Sequence, residues 1–414
     1  MMRVSTLFAL PGGLRRWRFN TAALLLALSA CGGGGGGGGG SSVTIQPTVA
    51  ASGANVQPLV VNAGPTGNSV NTLFTSVTIC MPGSTSACQV IDHVLVDTGS
   101  TGLRLLADVL TLPLPRVTVN SNQSLLNCAQ FVDATYLWGP VVNGDLLMSG
   151  EKAANLTLQV AGDRTSPAVP TACSSGNTSR NSVSALGAKG ILGIGNRLQD
   201  CGTFCANRVV NGFYYSYNGS TTADTAVSTV QQVKQPIALF ASNNNGSIIS
   251  LPAVPDPGAD VVTGALIFGI GTQPNNSQVP ANLLALNSSG YFTTTFKGRT
   301  LANGFIDSGS NGLFFGTADF RVCATSQWYC PPATTALQAT NTGTNTSPSL
   351  VNFAVSNADA LFANNSFTAF STLAAPAGDN VSFDFGLPFF YGRNVATAIE
   401  GKRTPSAVGP YIAY

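Results

Sequence analysis

The chain has 414 residues, of which 44% are hydrophobic and only 9% are charged, with 19 basic and 17 acidic side chains. This length is enough for two domains with sizeable cores, and the near-neutral balance provides no basic face for nucleic acid. The single histidine, His93, excludes a multi-histidine metal site and leaves a Ser-His-Asp triad only one possible base.

The first 31 residues are typical of an export signal. A basic stretch at residues 15–18 precedes an apolar run at residues 22–28, which is too short to span a membrane as a helix. The sequence Leu28-Ser29-Ala30-Cys31 then resembles a bacterial lipobox, so Cys31 is predicted to carry the lipid and to become the first mature residue. By resemblance to Gram-negative lipoproteins, the glycine after Cys31 implies attachment to the outer membrane. The alternative is an ordinary secretory signal cut near Ala30.

The rest of the chain divides into a linker and a β-rich body. Residues 32–69 are predicted to be a linker, because residues 32–40 are an unbroken glycine run and residues 41–65 are polar and aperiodic. From about residue 70, short apolar or alternating runs are separated by Gly, Pro and Asn turns, which predicts an all-β architecture. Residues 331–349 are rich in Thr, Asn and Pro and are expected to form a surface loop.

One short phrase occurs twice in this body. Asp97-Thr98-Gly99-Ser100 follows an apolar run at residues 94–96, and Asp307-Ser308-Gly309-Ser310 follows another at residues 305–306. A carboxylate at the end of a buried strand is costly unless it is hydrogen-bonded or shares a proton. Two such carboxylates in equivalent settings predict a duplicated fold in which two lobes, related by a pseudo-two-fold axis, bring them face to face.

This pair has a specific chemical use. Two carboxyl groups roughly 3 Å apart cannot both ionise, so together they supply the base that activates a water and the acid that protonates a leaving group. Asp97 and Asp307 are therefore the candidate catalytic residues. The candidate orienting residues are Thr98, Gly99, Ser100, Ser308, Gly309 and Ser310, whose hydroxyls and backbone N–H groups can hold the carboxylates in place. A nucleophilic Ser100 activated by His93 is the poorer alternative, since His93 lies on the same strand.

The two phrases and their surroundings resemble the pepsin-like aspartic peptidases. Ile191-Leu192-Gly193 and Phe385-Gly386-Leu387 resemble the two apolar-Gly segments that underlie the catalytic loops of that family. The resemblance implies an all-β, bilobal pepsin-like fold with a central cleft. It places an N-terminal lobe at residues 70–255 and a C-terminal lobe at residues 256–414.

The resemblance also implies a function. It implies an aspartic endopeptidase that acts on a peptide or protein substrate with no cofactor and no metal, as a monomer anchored to the cell envelope. Tyr136 lies where the family has the tyrosine of its substrate-covering flap, and Trp138 is a second flap candidate. The chain departs from the family at Arg104, where a tryptophan is usual, and at Leu387, where an aspartate is usual. These departures motivate the alternative of an inactive pepsin-fold binding or scaffold lipoprotein.

Eight cysteines follow Cys31, an even number in a compartment that permits disulfides. Sequence alone allows roughly a hundred connectivities. Proximity favours three local pairs and leaves a fourth: Cys80 with Cys88, Cys201 with Cys205, Cys323 with Cys330, and Cys128 with Cys173. A zinc site is the weaker alternative, since no two cysteines have the two-residue spacing that such sites favour.

Overall fold

The computed structural model describes residues 53–120, 122–277 and 280–414. Its 24 strands and few short helices confirm the predicted all-β class. The predicted signal segment, the lipidation site Cys31 and the glycine run lie outside the described residues. No helix of the described ranges is both long and apolar enough to cross a membrane.

The strands of the first half of the chain are β1 (Val56–Val61), β2 (Leu73–Cys80), β3 (Cys88–Asp97), β4 (Thr101–Leu106), β5 (Thr118–Val119), β6 (Gln123–Gln130), β7 (Thr135–Met148), β8 (Glu151–Ala161), β9 (Thr178–Ser179), β10 (Gly190–Ile194), β11 (Tyr214–Tyr217) and β12 (Thr222–Asp224). Those of the second half are β13 (Gly246–Leu251), β14 (Val262–Phe268), β15 (Leu283–Ala285), β16 (Phe292–Phe296), β17 (Arg299–Ile306), β18 (Leu313–Phe315), β19 (Thr335–Thr342), β20 (Pro348–Val355), β21 (Ala374–Ala375), β22 (Ser382–Phe385), β23 (Arg393–Ala398) and β24 (Tyr411–Ala413). The α-helices are α1 (Thr171–Ser174), α2 (Val183–Leu186), α3 (Thr203–Asn207) and α4 (Ala358–Leu361), and 3₁₀ turns occur at Ile237–Leu239, Pro274–Asn276 and Leu387–Phe389.

The first lobe is a closed barrel. β2 pairs with β3, β3 with β10, β10 with β4, β4 with β8, β8 with β7, and β7 returns to β2. Closure leaves no free edge in this ring. The first half of β7 continues beyond the barrel and forms a hairpin with β6, which pairs in turn with β11.

The second lobe is an open seven-stranded sheet in the order β20-β19-β16-β17-β22-β18-β21. Its core is strongly aromatic. Phe383 and Phe385 stack at a centroid distance of 4.2 Å, and Phe383 also stacks on Phe315 at 4.9 Å. Strand alternation places Asp384, between these two phenylalanines, on the opposite face of β22.

A six-stranded antiparallel sheet joins the two lobes, in the order β15-β24-β23-β13-β14-β1. The predicted lobe boundary between residues 255 and 256 falls between β13 and β14, which pair with each other. The lobes therefore share a sheet and are not joined by a simple linker. This shared sheet connects the two halves of the chain that carry Asp97 and Asp307.

Two sequence-based predictions of irregular structure are wrong. The predicted linker at residues 32–69 contains strand β1, whose six residues all pair with β14 and whose Leu59 and Val61 are buried. The expected loop at residues 331–349 contains most of the hairpin formed by β19 and β20. In both segments, pairing with a neighbouring strand outweighs a weak local propensity.

The structure contains four disulfides, with the pairing that proximity favoured: Cys80–Cys88, Cys128–Cys173, Cys201–Cys205 and Cys323–Cys330. Cys128–Cys173 ties β6 to α1, at a sequence separation of 45 residues. The other three close short loops, at sequence separations of 8, 4 and 7 residues.

Candidate active site

Asp97 and Asp307 are presented by two equivalent loops. Asp97 is the last residue of β3, and Asp307 directly follows β17. In the first lobe, β10 pairs in parallel with β3, which ends at Asp97, and antiparallel with β4, which follows the loop. In the second lobe, β22 pairs in the same way with β17 and β18. The chain thus passes through the same strand-loop-strand arrangement twice, and both carboxyl groups are fully buried.

The inner oxygens of the two carboxyl groups lie side by side. The Gly99 N–H donates to Oδ1 of Asp97 at 2.8 Å and also to Oδ1 of Asp307 at 3.1 Å. The Gly309 N–H donates to Oδ1 of Asp307 at 2.8 Å. A Cβ atom at Gly309 would lie 2.7 Å from Oδ1 of Asp97, so only glycine allows this approach. The structure therefore brings together the two aspartates of the repeat.

The outer oxygens are held by the serines that follow. The Ser100 hydroxyl donates to Oδ2 of Asp97, and the Ser310 hydroxyl donates to Oδ2 of Asp307 at 3.0 Å. Hydrogen bonds to a carboxylate are stronger than those between neutral groups and fix its plane. Each aspartate is thus fixed at both oxygens by its own loop.

Thr98 and Ser308 cross-link the two loops beneath the carboxyl groups. The Ser308 N–H donates to Oγ1 of Thr98 at 2.9 Å, and the Thr98 N–H donates to Oγ of Ser308 at 3.1 Å. Each hydroxyl also donates to a carbonyl of the other lobe, Thr98 to Ile306 at 3.3 Å and Ser308 to Val96 at 2.8 Å. The separation of the carboxyl groups is therefore set by backbone groups of both lobes.

Replacing Thr98 by valine should lower the free energy of unfolding by about 1–3 kcal/mol, because it leaves the buried Ser308 N–H without an acceptor. Urea unfolding under non-reducing conditions measures this loss. The matched control is Thr263→Val at an exposed position of β14, which should change stability by less than about 0.5 kcal/mol. Equal stability of the two variants would show that the cross-link contributes nothing.

The surroundings of the buried pair favour its protonated form. Burial raises the pKa of Asp307 well above its usual range, and the charges of Asp97 and Asp384 raise it further, while the Gly309 N–H opposes the rise. The carboxyl of Asp307 also forms a hydrogen bond with that of Asp97. Burial and like charge therefore favour one proton shared by the pair, as expected for two adjacent carboxyl groups.

Asp384 is a third buried carboxyl group beside the pair, and the sequence-based prediction missed it. It is 1% exposed, and neither carboxyl oxygen has a well-aligned hydrogen-bond partner among the described residues. Burial raises its pKa well above the usual range; the nearby Ser310 side chain opposes this rise, and the charge of Asp97 adds to it. Three carboxyl groups thus lie within electrostatic reach of one another.

A cavity of about 770 Å³ opens beside the loop that follows Asp97. It is lined by residues 98–101, 195–204, 288–291, 305–306, Glu400 and Ile412. Phe204, Tyr291 and Phe305 provide aromatic surface, and several backbone groups and hydroxyls provide polar surface. The aspartates themselves do not line this cavity, which reaches the pair through Gly99 and Ser100.

The two flap candidates lie in the hairpin of β6 and β7, and both side chains are buried. Tyr136 is 8% exposed and Trp138 is 3% exposed, and both belong to a buried cluster with Tyr215 and the Cys128–Cys173 disulfide. The Trp138 ring meets that of Tyr215 edge-on at 5.2 Å, and its N–H donates to the Pro167 carbonyl.

Arg104, which stands where the resembled family has a tryptophan, forms a buried ion pair. Its guanidinium lies 3.1 Å from Oδ2 of Asp200, and both side chains are 1% exposed. The Tyr214 hydroxyl donates to Oδ1 of Asp200 at 2.6 Å, and Arg104 also donates to the Thr101 carbonyl at 2.7 Å. The pair thus ties the strand after the first catalytic loop to the disulfide-bonded segment at Cys201.

The described residues offer no thiolate metal site. One group of potential ligands lies close together, Cys323 and Cys330 with Asp359, all within 4.8 Å. The two cysteines are joined in a disulfide, so neither provides a thiolate.

Stability should depend on pH with a definite sign. Burial raises the pKa of Asp200 to about 6 and also raises the pKa values of Asp307 and Asp384. Aspartates of the unfolded chain titrate near pH 4. Between about pH 4 and these raised values, the folded protein therefore binds more protons than the unfolded chain. Stability should therefore fall as pH rises through this interval, and the thermal midpoint should be higher at pH 4.5 than at pH 7.5.

Asp92 and Asp145 have the opposite effect on stability at low pH, because their pKa values are lowered. A hydrogen bond from Lys189 lowers the pKa of Asp92. Burial raises the pKa of Asp145, but hydrogen bonds from Asn155, Lys152 and Gly83 outweigh this effect and lower it. Their stabilisation is lost below about pH 4. Calorimetric scans across pH measure both limbs, and a thermal midpoint that keeps rising to pH 8 would contradict the assignment.

Residues 51–414 match the family described as "Protein of unknown function (DUF3443)", and the chain belongs to it. Among proteins with curated descriptions, none matches the sequence. Similar solved structures include an aspartic proteinase from Irpex lacteus, at 14% identity and a TM-score of 0.42, covering 86% of this chain and 96% of that one. Another is Basic 7S globulin from soybean, at 11% identity and a TM-score of 0.40, covering 83% and 93%. The assignment of a pepsin-like fold rests on the two equivalent loops and the shared sheet.

Proposed function

We propose that this protein is an aspartic-type endopeptidase in which Asp97 and Asp307 activate a shared water. The observation that carries the proposal is the Gly99 N–H, which donates to the inner oxygens of both carboxyl groups and so fixes them next to each other. No ordinary turn function needs two buried aspartates from distant loops to share one donor. An acid-base pair does need this arrangement.

The proton distribution suggests a role for each residue. Burial raises the pKa of Asp307 and the charges of Asp97 and Asp384 raise it further, so we assign the shared proton to Asp307 in this proposal. Asp97 would then act as the base that removes a proton from the water as the water attacks the peptide carbonyl. The proton on Asp307 would pass to the substrate, and the leaving nitrogen would be protonated as the tetrahedral intermediate collapses. Water is consumed, and one amine and one carboxylic acid are formed.

The substrate of this proposal is an extended peptide or protein segment in the cleft. An extended strand can be held by main-chain hydrogen bonds, with side chains entering alternate pockets. The aromatic surface of Phe204, Tyr291 and Phe305 in the adjoining cavity favours apolar side chains. The proposal includes a monomer that requires no cofactor and binds no nucleic acid.

Binding of a statine-type transition-state mimic tests the acid-base pair without requiring the natural substrate. Calorimetry on the intact protein should show binding that weakens by at least about 100-fold in Asp307→Asn, since transition-state mimics depend on the working geometry. Asp108→Asn, at an exposed position of the same protein, is the control and should bind normally. Equal binding by wild type and Asp307→Asn would contradict the proposal.

A second candidate is a pepsin-fold protein that binds peptides of the envelope without cleaving them. The burial of Tyr136 and Trp138 supports it, because side chains that pack into a cluster of their own lobe have little surface left for a substrate. It predicts that peptides bind equally well to wild type and to the aspartate variants, and that wild type leaves them intact.

The proposed location is the cell envelope, with a lipid on Cys31 and the body held to the outer membrane by the glycine-rich segment. The lipobox-like sequence supports this part of the proposal. Incorporation of labelled fatty acid into wild type, and its loss in Cys31→Ser, is the expected result. Labelling that persists in Cys31→Ser would overturn it.

A further inference from the structure

The first loop, residues 97–101, and its equivalent in the second lobe are held at the same backbone carbonyl by different side chains. Thr101 and Asn311 are equivalent, since each is the fourth residue after its aspartate. The Arg104 guanidinium donates to the Thr101 carbonyl at 2.7 Å, and Nδ2 of Asn71 donates to the Asn311 carbonyl at 3.0 Å. The first loop is therefore held by a side chain close to it in sequence, whereas the second is held by one from the opposite lobe.

The second loop, residues 307–311, has no arginine of its own for this bond. The position equivalent to Arg104 is Phe314, whose side chain has no hydrogen-bond donor. Asn311 is only 5% exposed, and backbone carbonyls of buried residues need a hydrogen-bond partner. Asn71 supplies a donor from 240 residues away along the chain.

Asn71 is fixed by four side-chain hydrogen bonds, all to the second half of the chain. Nδ2 also donates to the Phe370 carbonyl at 2.9 Å, while Oδ1 accepts from the Phe370 N–H at 2.7 Å and from the Tyr391 hydroxyl at 2.9 Å. The side chain is 1% exposed, and its backbone adopts a φ of 46°, which asparagine tolerates better than most residues. Two donors face Oδ1 and two carbonyls face Nδ2, so the amide has one orientation.

The chain leads directly from Asn71 to the strand that carries Asp97. β2 begins two residues after Asn71 and pairs with β3, where Phe74 lies opposite Leu95. β3 ends at Asp97, two residues beyond Leu95. Asn71 therefore connects the strand that presents Asp97 to the loop that presents Asp307.

We propose that Asn71 is a positioning residue of the acid pair: its amide holds the Asn311 carbonyl and so fixes the loop of Asp307 relative to the strand of Asp97. The catalytic consequence of this inference rests on the proposed function. Without the amide, the loop of Asp307 gains freedom, while the loop of Asp97 stays held by Arg104. A pair that acts through one shared water loses rate when one carboxyl group is no longer fixed.

Two substitutions remove the amide, and one control removes a similar amide elsewhere. Asn71→Gly suits the backbone at this φ, and Asn71→Ser is a second variant whose shorter hydroxyl does not reach as far as the amide nitrogen. Asn245→Ala is the control. Asn245 is 7% exposed, and its amide donates to the Ile270 and Arg403 carbonyls and accepts from the Ile270 N–H, outside both loops. Thermal unfolding shows which variants are folded.

The first arm of the test is hydrogen exchange of the intact protein, read by mass spectrometry, which does not depend on peptidase activity. In a folded Asn71 variant, the amides of residues 307–311 should exchange about tenfold faster than in the wild type, and those of residues 97–101 less than about twofold faster. Asn245→Ala should leave both loops within about twofold of the wild type. Equal acceleration of the two loops, or none in residues 307–311, would overturn the inference.

The second arm measures kcat and KM for a cleaved peptide. Asn71→Gly should lower kcat about 10-fold and change KM less than about twofold, because the substrate still binds while the acid pair is misplaced. Asn245→Ala should keep both values. An unchanged kcat in a folded Asn71 variant, or an equal loss in Asn245→Ala, would overturn the inference. An inactive wild type would count against the proposed function alone, and the exchange result would then decide the inference.

Discussion

Replacing Asp97 or Asp307 by asparagine should abolish peptide cleavage while the protein stays folded. Each substitution removes one partner of the proton-sharing pair, and general acid-base catalysis of this kind contributes on the order of 10²–10⁴-fold from a single group. Because the two residues act as a unit, the double variant should be no worse than either single variant. Steady-state hydrolysis of a fluorogenic peptide at acidic pH measures the loss.

The fold should tolerate these substitutions. Each asparagine keeps an oxygen that can accept from its own glycine N–H, at Gly99 or Gly309, and removes the repulsion between two buried carboxyl groups. The thermal midpoints of the variants should equal or exceed that of the wild type at neutral pH. Asp108→Asn should retain full activity. Activity that persists in both single variants would exclude the proposed pair as the catalytic groups.

Replacing Arg104 by methionine should be the most destabilising of the substitutions considered, with a loss of about 3–5 kcal/mol in the free energy of unfolding. The change leaves the fully buried Asp200 without its counterion, and removal of one partner of a buried ion pair has this magnitude. Urea unfolding with the disulfides intact measures it. Because Arg104 follows the first catalytic loop directly, peptide cleavage should fall as well.

Two further variants make this prediction specific. Arg116→Met removes an exposed ion pair with Asp163 and should cost less than about 1 kcal/mol. The double variant Arg104→Met with Asp200→Asn should be more stable than Arg104→Met alone, because the uncompensated charge is gone. Equal small losses for Arg104→Met and Arg116→Met would mean that the buried pair does not hold the loop.

The repeat allowed the fold and the centre of the site to be predicted, since two Asp-x-Gly-Ser phrases after apolar runs already specify two equivalent strand-loop units. The local signals were sufficient there, because each four-residue phrase contains the carboxyl group, the glycine that allows its close approach to the other loop, and the serine whose hydroxyl orients it. The pairing of β1 was not predictable in the same way. Its partner β14 lies some two hundred residues away along the chain, and nothing in a polar, aperiodic segment indicates such a partner.

The side chains around the pair show the same limit. Tyr136 and Trp138 lie in a hairpin at the expected place in the sequence, but which face of that hairpin packs inward depends on contacts with Tyr215 and the Cys128–Cys173 disulfide. Asp384 did carry a signal. A comparison of the two halves places it where the first half has Ile191, and an acid at a buried strand position is unusual.

Cleavage of a broad peptide library by the intact protein, from acidic to neutral pH and with and without a statine-type inhibitor, tests the central claim most directly. The account predicts inhibitor-sensitive cleavage that is greatest in acid and is lost in Asp97→Asn and Asp307→Asn. No cleavage at any pH by a demonstrably folded protein, or cleavage that both variants retain, would contradict it.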